Sequence, residues 1–130
     1  AWHVFGRLIH TAQDFYAHTN YVTLWLSHHE GSHPTPPEID PVEKGLIHSP
    51  DLRSGTLYYP SEILAFIPFT RKFALSILPR DSHAWMNLDS PDSGPHFEFA
   101  RVAAIKRTQY EFDIMKKMLN PDMFERFMDL

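Results

Sequence analysis

Six of the eleven prolines, Pro34, Pro36, Pro37, Pro41, Pro50 and Pro60, fall between residues 31 and 60, and no other feature limits the fold as strongly. Proline lacks a backbone N–H and fixes φ, so this density rules out regular helix or strand across the stretch. The segment is expected to be a long irregular loop. Structureless loops of about 30 residues inside a domain tend to be functional, disordered or packed over a site.

Regular structure must then lie on either side. An amphipathic helical pattern runs from about Trp2 to Ser27 and dissolves at His28-His29-Glu30-Gly31. Beyond the loop, Ile63 to Phe69 and a further stretch to Leu78 read as one or two short buried helices around Pro68, and residues 79–95 are again loop-like. From His96 to about Leu119 comes a second long amphipathic helix, with Phe99, Val102, Ala103 and Tyr110 on its core side. Asn120-Pro121 opens a short terminal helix. Only Thr56 to Tyr59 alternates apolar and polar at all. The expected fold is all-α: a single helical domain over residues 1–130 with two long amphipathic helices, shorter helices and long Pro-rich loops. The first helical pattern starts almost at Ala1 without an N-cap residue, which suggests a fragment or processed part of a longer chain.

The first helix carries the chemistry. At about 100° per residue, and with His3 at zero, His10 falls near −20°, Asp14 near +20° and His18 near +60°. Four side chains able to bind metal therefore share an arc of roughly 80°. Val4, Leu8 and Phe15 lie at about 100 to 140°, and Phe5, Ile9, Ala12 and Tyr16 at about 180 to 240°, a wide apolar surface suited to burial. Solvated helix faces are normally built from Lys, Glu, Gln and Arg; on this arc only Arg7 belongs to that set. The residue types point to metal.

There are no cysteines, so any ion must be held by His, Asp, Glu or Asn, and nine histidines make zinc the first choice. A second group of candidates, Asp81, His83, Asn87 and Asp89, lies between the short helices and the second long one. His83 is the best residue to complete a site begun on the helix, because a catalytic zinc needs a ligand from elsewhere and an open position for water. The net charge of −4, with Lys and Arg scattered, argues against duplex nucleic acid as a partner. No run of about 18 apolar residues is present, so a membrane-spanning helix is not expected.

The stretch Phe5-Gly6-Arg7-Leu8-Ile9-His10-Thr11-Ala12-Gln13-Asp14-Phe15-Tyr16-Ala17-His18-Thr19-Asn20-Tyr21 resembles the signature helix of the heterokaryon-incompatibility Het-C family. Asp81-Ser82-His83, with Asn87 and Asp89 before an Ala-rich helix, resembles that family's second block. The Het-C family is similar in turn to the zinc-dependent phospholipase C and single-strand nuclease superfamily. This resemblance implies an all-α fold, up to three zinc ions, and a His and Asp one turn apart that bind metal, here His10 and Asp14. His18 and His83 would be further ligands, although position 87 is Asn where the superfamily carries Glu.

The implied reaction is hydrolysis of a phosphate ester by a metal-activated water, with a phospholipid head group as the preferred substrate, peripheral membrane contact, and a secreted or extracytoplasmic location. Asp14 would bridge metals or orient the water, and Asp81 or Asp89 would act as orienter or general base. The alternative is a non-catalytic helical interaction module in which the metal only staples the helix to the residue 80s loop.

Overall fold

The computed structural model describes residues 1–129. It is all-α, with 66% of residues helical and no sheet among the described residues. Two isolated bridges, Thr19 to Ser54 and Thr56 to Ser82, are the only extended pairings among the described residues, so the alternation at Thr56 to Tyr59 yields a bridge rather than a strand.

The expected first helix is two helices, α1 (Trp2–His18) and α2 (Tyr21–His28). The break has a local cause and a distant one. Thr19 is extended, and its hydroxyl donates back to the Phe15 carbonyl at 2.6 Å, competing with the helical ladder. Asn20 then clamps the proline-rich loop: its amide donates to the Asp51 carbonyl at 2.9 Å, and its side-chain oxygen accepts from Arg53 N at 2.8 Å.

That loop is ordered by the side chains beneath it. It contains only short turns of 3-10 helix and the four-residue α3 (Lys44–Ile47), so many of its carbonyls have no backbone partner. Tyr16 donates its hydroxyl to Pro41 O, Tyr21 donates to Asp40 O at 2.6 Å, and Lys106 Nζ donates to Pro37 O and Ile39 O at 2.6 and 2.8 Å. Ile39 and Leu46 are thereby driven fully out of water. Burial pushes the hydroxyl pKa of both Tyr16 and Tyr21 upward, which keeps them as donors.

The main core forms where α1 and α2 meet the loop and the long helix α6 (Phe97–Met118), whose Ala100 and Ala103 allow close approach. Of the apolar arc on α1, the Phe5, Ile9, Ala12 and Tyr16 line faces inward, while Val4 and Leu8 are exposed. On α6 Tyr110 is likewise exposed, and Ala100 takes the buried place instead. The expected terminal helix is α7 (Pro121–Met128), capped by Asn120, whose Oδ1 accepts from Met123 N at 2.8 Å. Its Phe127 stacks on Trp2 at 4.4 Å and meets Phe5 edge-on, closing the far end of α1.

A smaller unit fills residues 56–88: a 3-10 segment Ser61–Phe66, α4 (Arg71–Ile77) and the single turn α5 (His83–Met86). Its buried core is only Ala65, Ala74 and Leu78. Glu62, almost wholly buried, organises it by accepting from Tyr58 N at 2.7 Å and from Ala84 N. Trp85 Nε1 donates to the carbonyls at the end of α4.

Candidate metal face

The four expected ligands fall into two groups along α1. His10, at the midpoint of the helix, and Asp14 form an exposed i, i+4 pair, Nε2 to Oδ2 3.3 Å. His18 ends the helix eight residues, or about 12 Å, beyond His10, so these two do not share one coordination sphere. His18 instead meets His83: the rings stack at 4.7 Å with planes 18° apart. Its Nε2 lies 3.5 Å from Asp89 Oδ2.

A short run of backbone hydrogen bonds brings His18 and His83 together. Gly55 N donates to His18 O at 3.1 Å, Thr56 N to Asp81 O at 2.8 Å, and His83 N to Thr56 O at 2.9 Å. Leu88 N adds a second tether to Ala17 O at 2.9 Å. Ser82, fully buried, caps α5 through its hydroxyl and fixes the direction in which His83 leaves the turn. Gly55 is indispensable here, since a Cβ at that position would stand 2.5 Å from His83 Cα and 2.9 Å from its nitrogen. Asn87 Oδ1 accepts from Asp89 N at 2.8 Å, an Asx turn that sets the Asp89 carboxylate toward His18.

Asp81, the other expected catalytic carboxylate, is occupied by Tyr58. It accepts from the Tyr58 hydroxyl at 3.0 and 3.1 Å, and this bond holds the Tyr58 pKa up.

Comparison with protein-family models, curated proteins and solved structures gives no match for this chain. The functional reading therefore rests on the geometry. Among the described residues no three His, Asp or Glu side chains converge as a metal cage. His18, His83 and Asp89 come nearest, and their donors are of the kind zinc takes. Both His18 Nδ1 and His83 Nδ1 are buried without a hydrogen-bond partner, a costly state for an imidazole nitrogen that a ligand would relieve. A metal lies in the plane of the imidazole that binds it, and two nearly parallel rings share no such point. Joint coordination requires one ring to turn.

A cleft of about 700 Å³ borders the turn α5, lined in part by Phe66, Arg71, Lys72, Trp85 and Asn87, with Asp92 on its wall, and His18, His83 and Asp89 do not line it. The Phe66 ring lies 6.5 Å from that of His83. Gly55 and Glu62 are not marked as functional by the sequence. A glycine between Ser54 and Thr56 carries no local signal of the backbone it must admit 28 positions later, and a glutamate at the head of an apolar run reads as an ordinary helix start.

Proposed function

We propose that the seam of His18, His83 and Asp89, continued along α1 by Asp14 and His10, is a zinc-dependent phosphoester hydrolase site. The observation that carries this reading is the pair of buried, unpartnered imidazole nitrogens at the junction of α1 with the residue 80s loop. His18 and His83 would hold the ion through these nitrogens, with the Asp89 carboxylate at His18 Nε2 orienting that ring, and the bound ion would lower the pKa of a water and polarise phosphoryl oxygens. Asp14, already hydrogen-bonding distance from His10, fixes that imidazole for a neighbouring position or orients the water. Arg71 and Lys72 supply positive charge for a phosphate in the adjoining cleft. Asp81 reaches the reaction only by exchanging its Tyr58 partner for water. A phospholipid head-group diester is the substrate that the Het-C resemblance implies.

A second reading, a zinc staple without catalysis, is favoured by the burial of both Nδ1 atoms, because a closed site leaves no position for water. Elemental analysis of the purified protein and of His83→Ala tests both readings. Stoichiometric zinc lost in the variant is expected, and its absence from the intact protein would sink both. Hydrolysis of bis(p-nitrophenyl) phosphate, abolished by chelator, then selects the hydrolase; a zero rate in zinc-loaded protein selects the staple.

A further inference from the structure

The cleft of about 700 Å³ beside α5 combines two kinds of wall. Phe66 and Trp85 supply aromatic surface, and Arg71, Lys72 and Asp92 are the only charged residues that line it. On α4 the helical spacing sets Arg71, Lys72 and Leu75 on one face, toward the cleft and apart from the exposed Phe73 and Ile77. Asp92 comes from a separate element, the 3-10 turn Pro91–Ser93.

The fold leaves these groups unused. None of the four ion pairs among the described residues involves Arg71, Lys72 or Asp92, so two positive charges and one negative charge stand at the cleft without a counter-charge in contact. Trp85 is fixed: its Nε1 donates to Leu75 O and Leu78 O at 3.0 and 3.2 Å, and the Arg80 guanidinium, which does not line the cleft, lies over the ring at 3.8 Å. The indole therefore offers the cleft an apolar surface with no donor left over, and a wall already fixed loses little freedom when it is covered. Phe66 is 63% exposed and has apolar area to bury.

A ligand that meets all of these groups carries a ring, an anionic group and a cationic group. An aromatic anion alone would leave Asp92 facing its negative charge, and an aromatic cation alone would be set against Arg71 and Lys72. Bare phosphate would use neither ring. The volume lies within the range of small-molecule sites and admits a single amino acid or a short peptide.

We propose that this cleft binds an aromatic zwitterion, a free aromatic amino acid or a short peptide ending in one, with its carboxylate at Arg71 and Lys72, its ammonium at Asp92 and its ring against Phe66 and Trp85. The binding needs no metal and stands apart from the hydrolase reading, which sets a phosphate at the same two cations.

Isothermal titration calorimetry on chelator-treated protein tests it, with L-phenylalanine, phenylpropionate, phenethylamine, L-alanine and inorganic phosphate as probes. L-phenylalanine is expected to bind, and removing its ammonium, its carboxylate or its ring should each weaken binding by about tenfold or more. Asp92→Asn should weaken L-phenylalanine about tenfold without weakening phenylpropionate, whereas Arg71→Gln with Lys72→Gln should weaken both and spare phenethylamine. A mere loss of fold would weaken every probe alike, and the probe series on the parent protein decides the matter without any variant. Glycyl-L-phenylalanine, whose charges stand further apart, separates the two sources: tighter binding than the free amino acid names the peptide. No binding of either zwitterion at millimolar concentration overturns the proposal. So does equal binding of L-phenylalanine and phenylpropionate, or tighter binding of inorganic phosphate than of L-phenylalanine, because the cleft is then a plain anion site.

Discussion

The two hydrophobic clusters are built on opposite plans. The first, around α1, α2 and α6, buries six large side chains, Tyr16, Tyr21, Val22, Trp25, Ile39 and Leu46, over two alanines. The second buries two alanines and one leucine, with Tyr58 and Trp85 only partly covered and Tyr59, Phe66, Phe69 and Phe73 facing water. Where apolar volume is scarce, buried hydrogen bonds to Glu62 and from Trp85 take over the work of holding the chain. A unit held this way can keep a stable backbone and still present an apolar face outward. The candidate site straddles the boundary, with His18 on the first plan and His83 on the second.

The sharpest way to break the contrast is to attack each cluster at its own kind of support. Tyr16→Ala removes a fully buried ring and the hydroxyl that ties down Pro41, and should cost about 4 kcal/mol in urea denaturation. Loss of protection from hydrogen exchange should reach α2 and the proline-rich loop together. Glu62→Ala leaves Tyr58 N and Ala84 N without their shared acceptor and should cost about 3 kcal/mol, although almost no apolar area is lost. Exchange should accelerate across residues 58–86 while α6 stays protected. Equal loosening of α6 would mean that the two clusters unfold as one.

Gly55→Ala tests the boundary itself. The new methyl meets His83 backbone rather than a flexible side-chain end, so the bridge must open, at about 2 kcal/mol. The imidazole resonances of His18 and His83 should shift together in proton NMR. Gly6→Ala is the natural control: it sits inside α1 with nothing within 4 Å of the added carbon, and should stabilise the protein by about 0.5 to 1 kcal/mol.

These positions also mark how far the sequence is legible. Helices α6 and α7 could be read because their signals are local, the spacing of Phe99, Val102 and Ala103 in one and the Asn120-Pro121 start in the other. The break after His18 could not, because Asn20 finds its partners at Asp51 and Arg53, more than 30 positions away. His10, Asp14 and His18 lie on one face of α1, but a face extends along its axis, and angle alone says nothing of the roughly 12 Å between its ends. His83 was recognisable as a candidate by its chemistry. That it would meet His18 rather than His10 depends on Gly55 and on the Leu88 tether, both long-range.

The smallest expected effect lies at the same boundary and is a matter of sign. His96, just before α6, lines a cavity of about 400 Å³ with Thr19, Asn20 and Thr23 of the first region and Arg80 and Trp85 of the second. Burial holds its imidazole below the ordinary histidine pKa. The unfolded chain takes up a proton near pH 6.5 while the folded chain still resists it, so stability present above that pH is lost as pH falls toward the folded-state value. His96→Gln removes this linkage, and its melting temperature should fall less than that of the parent protein between about pH 7 and pH 5. An unchanged slope would mean that the cavity admits water freely, and that the two regions meet there across a wet gap rather than a packed joint.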